Sequence, residues 1–249
     1  IDRNKIEEVL AFELNKNKKF LFVNSISGYG KTIAVKSFLD KIKKEDKVLW
    51  YNLDEWDKDP IVFMNYIYNL FKRNIPDLSS SLEEYLLQQQ SDESFFKSFI
   101  GFLANEIETN STNNLYLVID NFKNIEKETT LLKILTFMFN YSPENLKIIL
   151  ISDSSLPELF YPYILKQEMA EILGDSMFLD KQEASMIFEK FNLTNESIIG
   201  ELLLKSNNNI SLFVLLTQKI AENNSFLVDF EQNILYKTVF KEIIQKTFD

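Results

Sequence analysis

The sequence predicts an α/β protein: a parallel sheet covered by helices, followed by a small all-helical subdomain. Three observations predict it. Short apolar runs alternate with amphipathic helical patterns through roughly the first 150 residues. Two of those runs, residues 115–119 and 146–151, are continuously apolar, as strands buried on both faces are. Near Asp180 the character changes, and only helical periodicity follows. The predicted division is residues 1–179 for the α/β domain and 180–249 for the helical subdomain.

Ile6, Val9, Leu10 and Leu14 recur at helical spacing and open the chain with a helix. Residues 20–23, Phe-Leu-Phe-Val, read as a short buried strand, and a polar, glycine-bearing loop follows over residues 25–30. Residues 31–42 are helical, with Ile33, Val35, Phe38 and Ile42 on the apolar face. Residues 48–53 form a second strand. Asp59 and Pro60 then start a helix reaching about Arg73, because Asp caps well and Pro suits the first helical position.

Two further helices fill residues 80–90 and 92–108, and Phe95, Phe96, Phe99 and Phe102 recur there at the spacing of a buried face. The strand at 115–119 ends in Asp120; a helix over 129–139 and a strand over 146–151 follow. A last short strand is expected near residues 177–179. Asp180 with Glu183 forms a capping box, and helices are expected over 181–191, 197–205, 211–222 and 230–247. The asparagines at 207–209 mark a polar turn. Trp50, Tyr51 and Trp56 cluster near the second strand and read first as core.

The loop Ser25-Ile26-Ser27-Gly28-Tyr29-Gly30-Lys31-Thr32 lies between a strand and a helix, the context of a G-x-x-x-x-G-K-[ST] phosphate loop, with Ser25 in place of the first glycine. Such a loop wraps a phosphate in backbone N–H groups and points the positive end of a helix at it. The expected nucleotide-binding residues are Ser27, Gly28, Tyr29, Gly30, Lys31, Thr32 and Ile33. Lys31 would reach the β- and γ-phosphates, and Thr32 would offer its hydroxyl to Mg²⁺. Asp120, emerging at the C-terminal end of a buried strand, is the second expected Mg²⁺ ligand.

These residues resemble the P-loop NTPases of the STAND class, and in particular the N-terminal ATPase portion of MalT-like (LuxR-family) transcriptional regulators. The run from Ser27 to Thr32 is similar to that family's Ala-Gly-Tyr-Gly-Lys-Thr loop. Residues 48–63, VLWYNLDEWDKDPIVF, resemble a long and unusual family segment. Residues 115–125, 146–156 and 169–188 resemble the segments that follow.

The resemblance implies an AAA+-like core that binds ATP or ADP with Mg²⁺ and acts as a regulatory switch. It also implies a small winged-helix-like domain, with sensor and DNA-binding domains lying outside this sequence, and ligand-dependent self-association.

The sequence departs from the family at three places. A second acid after the first is replaced by Asn121, which cannot take a proton from water as a carboxylate can, though it can still position that water. Asp153 stands where the family has an arginine near the γ-phosphate, and Asn208-Asn209-Ile210 replace a Gly-x-Pro motif. Hydrolysis is therefore expected to be weak or absent. The alternative reading is a pseudo-ATPase scaffold that has lost its nucleotide. The family also often places a basic residue near the nucleotide at the position of Arg3. From the sequence alone, Arg3 reads first as a solvated charge.

Composition narrows the classes further. The 249 residues carry 27 basic and 37 acidic side chains, a net charge of −10, which argues against direct nucleic-acid binding by this segment. The chain contains no histidine and no cysteine, so imidazole catalysis, thiolate metal sites and disulfides are excluded. No apolar run reaches the roughly 18 residues of a membrane span, and the expectation is a cytoplasmic protein.

Overall fold

The computed structural model describes residues 3–222 apart from 17, 43, 89–91 and 194–195. The helix expected over 230–247 lies outside the described residues. In chain order the elements are α1 (Asn4–Asn15), β1 (Phe20–Asn24), α2 (Lys31–Leu39), β2 (Lys47–Asn52), α3 (Pro60–Asn74), α4 (Ser81–Leu86) and α5 (Glu93–Asn110). They continue as β3 (Leu115–Asp120), α6 (Thr129–Tyr141), β4 (Leu146–Ser152), α7 (Tyr161–Leu165), β5 (Met169–Ile172), α8 (Lys181–Lys190), α9 (Ile199–Lys205) and α10 (Ile210–Glu222). The described residues fall into two compact units, one of residues 11–24 and 39–172, the other of residues 3–10, 25–38 and 173–222.

The first unit is built on a five-stranded, wholly parallel sheet in the order β2-β3-β4-β1-β5. All pairings join strands of the same direction, so every connection must cross over, and helices supply the crossovers. The central strands β1, β3 and β4 are buried almost throughout, as their unbroken apolar runs require. In register, Asn52 of β2 stands opposite Asp120 of β3, and Ser152 of β4 opposite Asn24 of β1. Polar residues therefore line up at the C-terminal ends of the strands.

The core of this unit is unusually aromatic. Phe20 meets Phe139 at a ring separation of 4.5 Å, and Phe22 meets Phe122 edge-on at 5.9 Å. Asp59 caps α3 by accepting from the N–H groups of Ile61 and Val62, with Pro60 at its first position, as the sequence indicates. Asp92 caps α5 in the same way through Phe95 N–H. Phe95, Phe96 and Phe99 are fully buried, but Phe102 is exposed and lies edge-on to Tyr85 at 5.8 Å. Trp56 is also exposed rather than core, because it falls in the 3-10 turn that Asp54 caps, residues Glu55–Lys58.

The last strand differs from expectation. Residues 177–179 are not a strand: Gly174–Met177 form a 3-10 turn, and Leu179 enters the core of the helical part. The fifth strand is Met169–Ile172, whose buried-buried-exposed-buried pattern suits an edge position beside β1. Four residues with one charge among them, Glu171, carry too little periodicity to be distinguished from a loop.

In the second unit α8, α9 and α10 pack around Ile187, Phe188, Leu202, Phe213 and Leu216. Asp180 and Glu183 do form a capping box at the start of α8. Asn207 and Asn208 both adopt left-handed backbone (φ 51° and 56°), a conformation that asparagine tolerates better than most residues. They turn the chain sharply between α9 and α10.

Candidate functional site

The phosphate loop leaves the C-terminal end of β1 and enters α2, and its residues belong to the same compact unit as α8–α10. Gly28 and Gly30 sit at φ +88° and +79°, where side chains are strained. Space forbids a side chain as well. A Cβ on Gly28 would lie 2.8 Å from the Asn209 amide, and one on Gly30 would lie 3.0 Å from Arg3 Nη1 and 3.2 Å from Ile210. Positive φ at Gly28 and Gly30 on either side of Tyr29 is the kind of backbone that can gather successive N–H groups around an anion. Lys31 Nζ donates to Ser25 O at 2.6 Å and to Ile26 O at 3.3 Å, so its ammonium sits within the loop.

The loop is held from outside by the turn before α10. Asn209 Nδ2 donates to Ser27 O at 3.1 Å while its Oδ1 caps α10 by accepting from Leu212 N–H at 3.0 Å. Ser211 N–H donates to Gly28 O at 3.0 Å. Tyr29 donates its hydroxyl to Asn207 O at 2.9 Å, and its ring lies 5.6 Å from that of Phe178. Burial pushes the Tyr29 phenol above its ordinary value; the Asn207 hydrogen bond pulls it back and the Asp175 charge pushes it up again. The Tyr29 side chain thus fastens the loop to the turn before α10. Ser27, Thr32 and Ile33 are exposed.

Arg3 is not a solvated charge. It is 1% exposed, and each of its three guanidinium nitrogens donates a hydrogen bond. Nε donates to Glu183 Oε1 at 2.8 Å, Nη1 to Tyr29 O at 3.0 Å and Nη2 to Met177 O at 2.7 Å. Glu183 serves two roles at once, since its Oε2 closes the α8 capping box. Glu7, also buried, accepts from Arg3 N–H at 3.1 Å and from Ser37 Oγ at 2.6 Å, tying α1 to α2. Sequence reasoning favoured the wrong environment for Arg3 and gave no role to Asn209. The Arg3–Glu183 contact joins residues 180 apart, and no local pattern encodes it.

In the sheet unit, Asp120 ends β3 almost fully buried, its Oδ1 accepting from Asn121 N–H at 2.8 Å. Asn121 has left-handed backbone (φ 57°) and donates its side-chain amide to Asn52 Oδ1 at 2.7 Å. Asp153 lies 3.9 Å from Lys123, and both are partly exposed. That pairing gives the Asp153 carboxylate a cationic neighbour on its own unit. Because β4 lies between β1 and β3, Asp120 and Asn24 are two strand spacings apart, about 9.5 Å. No group of three or more acidic side chains able to hold a metal exists among the described residues. A divalent ion here would have to take most of its ligands from phosphate and water, which is how Mg²⁺ is usually held.

No helix among the described residues is long and apolar enough to cross a membrane. Comparison with known proteins places this geometry. The chain is similar to the HTH-type transcriptional regulator MalT of Vibrio cholerae, 24% identical over 172 residues, covering 69% of this chain and 18% of that protein. It is similar also to MalT of Serratia proteamaculans, 26% identical over 173 residues, covering 70% of this chain and 18% of that protein. The chain thus spans under a fifth of the length of these relatives. Among solved structures, a Walker-type ATPase of Pyrococcus abyssi superposes with a TM-score of 0.64 at 15% identity, covering 98% of this chain and 73% of that one. The fold is that of a P-loop ATPase. The profile of the family described as Nephrocystin 3, N-terminal matches residues 4–153, the stretch that holds the phosphate loop and β1 to β4, and the chain belongs to that family.

Proposed function

We propose that this chain is the nucleotide-binding module of a regulatory protein, taking ATP or ADP with Mg²⁺ and turning it over slowly or not at all. The observation that carries the reading is the loop itself: two positive-φ glycines around Tyr29, with the Lys31 ammonium folded into the loop at the N-terminus of α2. This arrangement concentrates N–H donors and a cation where a phosphate chain would lie. Similarity to transcriptional regulators of far greater length supports a module that reports nucleotide state to other domains.

On this reading Lys31 contacts the β- and γ-phosphates, and Ser27 to Ile33 line the phosphates through backbone N–H groups. The sequence motifs assign the Thr32 hydroxyl and the Asp120 carboxylate to Mg²⁺. Asn121 would orient an attacking water without deprotonating it, which is the basis for slow turnover. The bound nucleotide would act on the turn 207–211, because that turn holds the carbonyls of Ser27 and Gly28.

A second reading, a scaffold without nucleotide, is favoured by one feature: the side chains of Lys31 and Asn209 already bond loop carbonyls. Thermal unfolding with Mg²⁺ and ADP or ATP separates the two. Nucleotide at 100 times its dissociation constant stabilises by about 2.7 kcal/mol. A rise in Tm that disappears in Lys31→Ala supports the nucleotide module. No rise in verified nucleotide-free protein would sink it in favour of the scaffold.

A further inference from the structure

We propose that the open edge of β2 and the flank of α3 form a binding groove for an extended peptide, distinct from the phosphate loop. Lys47 N–H bonds Asn114 O and Leu53 N–H bonds Asp120 O, so the odd-numbered residues of this stretch face β3. The N–H and C=O of one strand residue share a side, so Val48, Trp50 and Asn52 turn theirs to the open edge. Among the described residues no strand pairs with that edge. Unpaired edge groups are a template for another strand.

Beside the edge lies a recess of about 580 Å³, and α3 supplies its second wall. Val62, Tyr66, Asn69 and Arg73 recur there at helical spacing. Residues 62–73 span about 16 Å along a helix, the length of about five residues of extended chain. Tyr66 stacks on Tyr51 at 5.2 Å and is half exposed, a flat apolar platform for a side chain of the incoming strand. The Asn65 and Asn69 side-chain N–H₂ groups bond their own helix, at 2.9 and 2.8 Å, which leaves the amide oxygens as acceptors.

The charges of the groove select its occupant. Asp54 stands at one end and Arg73 at the other; both are exposed, and Arg73 has neither a hydrogen bond nor an ion pair among the described residues. A strand with a basic residue at one end, an acidic residue at the other and β-branched or aromatic residues between them satisfies both charges and the edge at once. A groove walled by a helix on one side admits a single slim strand whose side chains enter the recess.

The experiment is an anisotropy titration of the full chain with a pool of labelled, capped peptides. These carry Arg at one end, Glu at the other and about five central positions drawn from Val, Thr and Tyr. Wild type should bind saturably, and a pool with central proline should not. Val48→Pro removes only an outward-facing N–H and should weaken binding at least about tenfold. Arg73→Glu should lose the Glu-ended pool and gain one in which Lys replaces Glu; this exchange carries the test alone if Val48→Pro melts early. Absence of saturable binding, or equal affinity for wild type and both variants, overturns the proposal. So does a dimer in peptide-free sedimentation that Val48→Pro dissolves, because the edge would then belong to a second copy.

Discussion

At the scale of single residues, the Arg3–Glu183 pair is the contact on which the phosphate-loop unit most depends. Removing one partner of a buried ion pair strands the other charge, at a cost of about 3–5 kcal/mol. Arg3→Ala should therefore lower the urea midpoint severely. Glu183→Gln strands the buried Arg3 charge in turn and offers one oxygen to the two donors that Glu183 serves, so it should cost a similar amount. A Glu183→Gln variant as stable as wild type would mean that the arginine acts through packing, not charge.

Gly28 offers a second test at this scale. Gly28→Ala meets both the positive φ and the Asn209 amide, and strain of this kind costs about 1–3 kcal/mol. Combining it with Asn209→Ala removes the clash but keeps the backbone strain. The double variant should be more stable than the sum of the two singles predicts. Simple additivity in urea unfolding would show that Asn209 yields freely and does not hold the loop.

At the scale of elements, the α8 capping box makes a direct prediction. Asp180 Oδ1 accepts from Glu183 N–H at 2.8 Å, and replacing such a cap by alanine costs about 0.5–2 kcal/mol. Asp180→Ala should fall in that range, as read from chemical unfolding. A loss well beyond it would mean that the cap also sets the orientation of Glu183 toward Arg3. This box was legible in the sequence because it is local, as were the Asp59-Pro60 start of α3, the buried runs of β3 and β4, and the loop from Ser25 to Thr32. What was not legible depends on distant partners. Met169–Ile172 became a strand only by pairing with β1. Trp56 and Phe102 carry core-type side chains, yet the turn and the outer face of α5 leave them in water. Arg3 reads as a surface charge until Glu183, Tyr29 and Met177 surround it.

At the scale of the whole molecule, composition and burial together set the response to pH. With no histidine and no cysteine, no side chain has an ordinary pKa between about 5 and 8, and stability should be flat there. Below the plateau, Glu144, Asp92 and Glu222 are held below their ordinary values by hydrogen bonds from Lys19, Ser94 and Lys219 respectively. A depressed carboxylate contributes stability above its unfolded pKa and loses it as pH falls; because these three are exposed, that loss should be shallow.

Above the plateau, burial raises the phenols of Tyr29, Tyr51, Tyr68, Tyr116 and Tyr163. A raised phenol contributes stability that is complete below its unfolded pKa and lost as pH rises past about 10. Lys147, depressed by burial, works in the opposite sense, since its folded form gains as the ammonium loses its proton. Five phenols outweigh one lysine, and deprotonation adds to a net charge already at −10. Melting temperature followed with tyrosinate absorbance should therefore hold level through neutral pH and fall steeply above about pH 10 as the buried phenols ionise together. A step in the neutral range would overturn this account, and so would phenols that ionise gradually while the fold persists.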